Sequence, residues 1–149
     1  MFRVTTLTAV VVIAVLAAAT AAGAATRLFA ANCTCVEFQA NGGGSASLGA
    51  SSSAVLGQFV GKGTLWLRGS GSVSHWGSRT WDSSAGAWKF TGRDMSFRAS
   101  GKLWLKAQGS NIAVSATAQG TASLKGTGSY RINEGSGRKW PSSPIRLRG

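Results

Sequence analysis

The sequence predicts an all-β fold, an antiparallel meander forming a small sandwich or barrel. Three observations carry that expectation: a long two-residue alternation in the second half of the chain, inversions of that alternation at Gly-containing pairs, and a short signature that recurs between them. From Asp94 onward Met95, Phe97, Ala99, Gly101, Leu103, Leu105 and Ala107 share one parity, and Ser96, Arg98, Ser100, Lys102, Trp104, Lys106 and Gln108 the other. Side chains two apart on a strand point the same way, so this is a strand with one apolar and one polar face. After Gly109-Ser110 the phase inverts, and Ile112, Val114, Ala116, Ala118, Ala122 and Leu124 become the apolar set. A two-residue hairpin loop produces such a flip. It predicts a Gly109-Ser110 turn with Gln108 opposite Asn111, Leu105 opposite Val114, Phe97 opposite Ala122, and Asp94 paired with Lys125. Gly92-Arg93 predicts a second turn by the same reasoning, with Trp88 a cross-strand neighbour of Phe97.

The signature is Leu67-Arg-Gly-Ser-Gly71-Ser, Leu105-Lys-Ala-Gln-Gly109-Ser and Leu124-Lys-Gly-Thr-Gly128-Ser, with Trp88-Lys-Phe-Thr-Gly92 as a looser copy. Successive copies start 17 to 21 residues apart. That interval suits a hairpin of two short strands, and the competing architecture is a β-solenoid with coils of about 19 residues.

In chain order, residues 1–25 open with Met1-Phe2-Arg3 and continue as an uncharged apolar run ending in Ala22-Gly23-Ala24. Such a segment reads as a secretory signal peptide or an N-terminal membrane anchor, which places the protein outside the cell or in its envelope. Residues 26–53 carry Cys33 and Cys35 on an expected strand, then a Gly/Ser-rich stretch from Asn41 to Ser53 that reads as a linker or a small-residue strand. Two thiols two apart on a straight strand need a local turn to join, so pairing between copies of the chain is the sharper expectation. Residues 54–133 form the β domain. Within it 77–87 break the alternation and read as a loop carrying Trp81 and Asp82. Residues 134–149 hold Arg138, Lys139, Arg146 and Arg148 with two prolines and read as a basic tail.

Composition narrows the function. Sixteen Lys and Arg stand against four Asp and Glu, a net charge of +12. An excess of that size favours polyanionic surroundings: anionic cell-wall polymer, polysaccharide, anionic lipid or nucleic acid. With one His, His75, and four scattered acids, a Ser-His-Asp arrangement through His75 and Asp82 has no support beyond coincidence, and neither paired carboxylates nor metal-ligand spacing emerge. The expectation is a protein without catalytic residues, metal or cofactor. The one constellation above background is Trp66 and Trp104 on the polar parity among cations: Lys62, Trp66, Arg68 and Trp76 on one stretch, Arg98, Lys102, Trp104 and Lys106 on the next. Indole faces beside Lys and Arg can stack on sugars or bases while the cations take up anionic groups. The plainer account is that the Lys stems pack over the rings on an ordinary sheet surface. His75 shares parity with Leu65, Leu67 and Val73 and reads as a histidine at the edge of the core.

The stretches Gly-x-Gly-Thr-Leu-Trp-Leu near residues 63–67, Ser-Gly-Lys-Leu-Trp-Leu at 100–105 and Leu-Lys-Gly-Thr-Gly-Ser-Tyr at 124–130 resemble a group of exported, glycine-rich all-β prokaryotic proteins of unassigned function. The resemblance spans about residues 57–133 and implies an all-β domain, with no site residues to carry over. The resulting expectation is an exported envelope or extracellular protein that binds polyanion or carbohydrate through its Trp/Lys/Arg face. Two structural alternatives are a subunit of a surface fibre or layer, built by self-association, and an outer-membrane β-barrel.

Overall fold

The computed structural model describes residues 33–149; the expected signal or anchor at 1–25 lies outside them. Five antiparallel strands form one sheet: β1 (Val36–Phe59), β2 (Lys62–Asp82), β3 (Ala87–Ile132), β4 (Arg138–Lys139) and β5 (Ile145–Leu147). The path is β1-β3-β2, with β4 and β5 added against β3. The all-β antiparallel class is therefore as the alternation predicts, and the sheet is not closed into a barrel.

Three of these strands are too long to be straight, and the pairing shows how they are accommodated. Leu48 pairs with both Leu105 and Ala122, Val55 with both Ala99 and Ala116, and Leu65 with both Phe90 and Ala107. Each strand thus lies between two passes of its partner that are 17 residues apart in sequence. The pairings sort into two rows. A front row, in spatial order, contains 76–82, 87–93, 62–68, 103–109, 44–50, 120–126 and 145–147. A back row contains 70–74, 96–100, 53–59, 112–118, 36–42, 128–132 and 138–139. The chain alternates between rows as a folded-over antiparallel ribbon. It descends through every second position, reverses at the turn 83–86 and returns through the positions between.

Buried side chains of both rows merge into one cluster that includes Leu48, Leu65, Leu105 and Ala122 from the front and Phe38, Val55, Phe97 and Val114 from the back. The two rows therefore enclose a single core. Fully burying a Leu or Phe is worth about 1.5–3 kcal/mol, and the alternation supplies such residues to the core together with many smaller Ala.

The sheet folds over along a ladder of glycines. Gly77 pairs with Gly92, Gly92 with Gly63, Gly63 with Gly109, Gly109 with Gly44, and Gly44 with Gly126. A β-carbon on Gly92 would land on the Trp76 carbonyl, and one on Gly126 on the Gly43 carbonyl. Backbones approach here as side chains would forbid. Part of the recurring signature traces this geometry: Trp88, Leu67 and Leu105 are direct cross-strand neighbours that continue to Leu48, Ala122 and Ile145, and Gly92 and Gly109 belong to the ladder, whereas Leu124 pairs with Ala46, and Gly71 and Gly128 lie on the back row.

Several expectations change accordingly. Gly109-Ser110 and Gly92-Arg93 are bends within β3, not hairpin turns. Leu105 lies opposite Leu67 and Leu48, Val114 opposite Ala40 and Gly57, and Phe97 opposite Gly57 and Val73. A one-residue bulge inverts parity as a two-residue turn does, so the phase flip was real but had another cause. At one such bend Asp94, with φ of 49°, receives the Gly61 N–H on its Oδ1 at 2.8 Å and donates its own N–H to the Gly61 carbonyl at 3.0 Å. The expected Asp94–Lys125 pair is replaced by this clasp. Asn133, with φ of 52°, forms the same reciprocal clasp with Glu37.

Asn41 to Ser53 is strand in the middle of the sheet, because small residues fit where two passes of β3 flank β1. The break expected before residue 54 is crossed by β1 without interruption. The stretch 77–82 belongs to β2, and only 83–86 turns. The expected tail is docked: Ile145 and Leu147 are buried, Trp140 packs on the core and donates its indole N–H to the Ser129 carbonyl, and Gly149 N–H reaches Thr34. Cys33 and Cys35 are joined to each other, with Cα atoms 5.2 Å apart. They precede β1 at a bend, which supplies the local turn and corrects the expectation of a link between chains.

Candidate functional site

Trp66 sits on the outer face of the front row, between buried Leu65 and Leu67. Its two strand partners are Lys89 and Lys106. Their ammonium groups lie 5.4 and 5.3 Å from the indole centroid, one from each side. Arg68 pairs with Trp104 and holds its guanidinium 5.5 Å from that ring. The cations meeting each indole are thus cross-strand partners and not the same-strand neighbours that parity picks out. Adjacent strands lie about 4.8 Å apart, whereas residues two apart on one strand are separated by about 6.6 Å, so the nearer contacts win.

Trp66 is fixed in orientation. Its indole N–H donates to Asp82 Oδ2 at 2.9 Å, while Asp82 Oδ1 accepts from Ser84 Oγ at 2.6 Å, Ser84 N at 3.0 Å and Ala85 N at 3.2 Å. Asp82 therefore ties the turn 83–86 and the Trp66 ring into one unit. The Ser84 hydroxyl first, then the Trp66 indole and the Ala85 N–H, stabilise its charged form and lower its pKa from 3.8 to about 2. Neither Asp82 nor Asp94 is turned toward a cation; their carboxylates accept N–H and O–H groups.

The remaining expected residues divide. Lys62 pairs with Arg93, which pairs in turn with Trp76, so these three cross the outer front face beside the glycine ladder. Lys102 is exposed at the bend entering segment 103–109, two residues before Trp104. Arg98 pairs with Ser72 and Leu56 on the back row and faces away from Trp66 and Trp104. The front face brings together Lys62, Trp66, Arg68, Trp76, Trp104 and Lys106, and adds Lys89, which parity on the other two strands did not single out.

A second aromatic group opens from the core at the end of the sheet. Trp81 and Trp88 meet edge to face with centroids 5.3 Å apart. Arg79 lies 3.9 Å over Trp88, and His75 stands edge-on to Phe90 at 5.2 Å. His75 is half-buried there, at the edge of the core as its parity indicated, and Asp82 is engaged elsewhere. Among the described residues no group of three or more His, Cys, Asp or Glu is arranged to hold a metal. No family model, curated protein or solved structure matches this chain.

Proposed function

We propose that the protein is a non-catalytic component of the envelope or extracellular space that binds an anionic polysaccharide or related polyanion along the outer face of the front row. The observation that carries this reading is Trp66 held by Asp82 between Lys89 and Lys106, with Arg68 over Trp104 on the next pair of positions. A ring that does not need to reorient loses little entropy on stacking against a sugar. Cations spaced across neighbouring strands can meet successive anionic groups of an extended polymer, and the net charge of +12 draws such polymers in.

The outer-membrane barrel is set aside, because the sheet is open and its apolar positions are buried in a core. The test is salt-dependent retention on immobilised anionic polysaccharide, comparing the parent with Trp66→Ala/Trp104→Ala and with Lys89→Gln/Lys106→Gln. Both variants should elute at lower salt. If the Trp variant elutes with the parent while the Lys variant does not, binding is by charge alone and the stacking role fails.

A further inference from the structure

The two edges of the sheet are treated differently. On one side β4 and β5 pair with β3, and Ile145 and Leu147 close the core. On the other side segment 70–82 of β2 pairs only inward, with 87–100, among the described residues. It contains no Pro and no Lys, the residues that usually blunt an edge. Trp76, 83% exposed, and Trp81, 55% exposed, lie on it, and Trp88, 41% exposed, is the strand partner of Trp81.

We infer that this edge is a self-association surface, and that a second copy of the chain adds its own segment 70–82 antiparallel to the first to make a two-fold dimer. Charge selects the occupant. Segment 70–82 carries Arg79 and Asp82 as its only Arg, Lys, Asp or Glu, so it is neutral within a chain of net charge +12. Copies that repel elsewhere meet here with less of that penalty, the nearest cations, Lys89, Arg93 and Arg98, standing one strand further in.

Ser72 and Ser74 lie on the outer face of the back row, and Trp76, Ser78 and Thr80 on that of the front row, so each row offers its own stretch of edge to the matching stretch of an antiparallel copy.

The area is sufficient. The edge stretches of the two rows, about 40 Å long taken together and about 10 Å deep, with the exposed parts of Trp76 and Trp81, would cover about 700 Å² per copy, against about 800 Å² for an ordinary stable interface. Because β4 and β5 occupy the opposite edge, the contact is isologous and stops at two copies.

The experiment needs no ligand and is therefore independent of the polyanion reading. Sedimentation velocity of the protein as recovered from its producing cells, between about 1 and about 100 µM, should show monomer converting to dimer and nothing larger. Amide exchange at the two ends of that range should show slowing of about tenfold or more at high concentration, confined to 70–82 and its immediate partners. Ser72→Lys/Ser78→Lys, at exposed edge positions, should weaken the dimer about tenfold or more. Ser136→Lys/Ser142→Lys, with the same added charge on exposed residues away from the edge, should leave it intact. A monomer throughout, assembly beyond two copies, protection of 70–82 that does not depend on concentration, or equal weakening by both variants overturns the proposal.

Discussion

Replacing Gly92 by alanine tests whether the glycine ladder is what lets the sheet fold over. The added methyl would lie on the Trp76 carbonyl oxygen, 2.8 Å from the Trp76 carbonyl carbon and 3.1 Å from Gly77 Cα. All three atoms are backbone of a paired strand and cannot rotate away. The edge strand must shift, so the cost combines overpacking, about 1–3 kcal/mol, with weakening of at least one ladder hydrogen bond, about 0.5–1.5 kcal/mol. About 3 kcal/mol is expected.

Gly109, on the same ladder, is the matched control. Its methyl would meet the Phe59 ring at 3.0 Å and the Lys62 carbonyl oxygen at 3.2 Å. A few tenths of an ångström of ring movement relieves most of that, and the lower entropy of the unfolded alanine chain offsets part of the remainder by about 0.4–1 kcal/mol. The net cost should stay below about 1 kcal/mol. At about 4 °C per kcal/mol for a domain of this size, thermal unfolding followed by circular dichroism should place Gly92→Ala about 12 °C below the parent and Gly109→Ala within about 4 °C. Equal shifts for the two would refute the argument that backbone approach across the ladder sets the tolerance.

Three further outcomes follow from named contacts. Gly57→Ala puts a methyl into the Phe97 ring packed against it, so it should lose about 1–3 kcal/mol in denaturant unfolding, and adding Phe97→Leu should recover part of that; a strictly additive double variant would show that the two do not interact. Asp82 has a lowered pKa, so its contribution is present above the ordinary value of 3.8 and is lost as pH falls toward about 2. A tryptophan fluorescence step should appear in that window and vanish in Asp82→Asn, and its persistence in the variant would remove Asp82 as the anchor of Trp66. Asp94→Asn keeps both the acceptor and tolerance of positive φ and should match the parent within about 0.5 kcal/mol. Asp94→Ala keeps neither and should lose about 1–3 kcal/mol by denaturant midpoint; equal losses would mean that the clasp with Gly61 is unimportant.

Alternation over Asp94–Asn133 was enough to identify the strand character and the buried face: Met95, Phe97, Leu103, Leu105, Ile112, Val114 and Leu124 are all in the core. Within it Trp104, and on the earlier alternating stretch 61–68 Trp66, fall on the opposite face, where the structure has them half-buried beneath cations. Those statements depend only on the two-residue period of an extended chain, which is local. Pairing is not local. The phase flips near Gly92 and Gly109 were visible, but a bulge and a hairpin leave the same mark on parity, and the choice between them turns on which distant strand lies alongside.

Tertiary structure alone brought Lys89 to Trp66 from another pass of the ribbon and set Asp82 against the Trp66 indole. It also turned the basic tail into a cover for one edge and the small-residue stretch at Asn41–Ser53 into a central strand. The recurring glycines were plain in the chain. That Gly77, Gly92, Gly63, Gly109, Gly44 and Gly126 stand side by side follows only once the ribbon is wound with a 17-residue offset, because the absence of a side chain shows its purpose when a second backbone occupies the space.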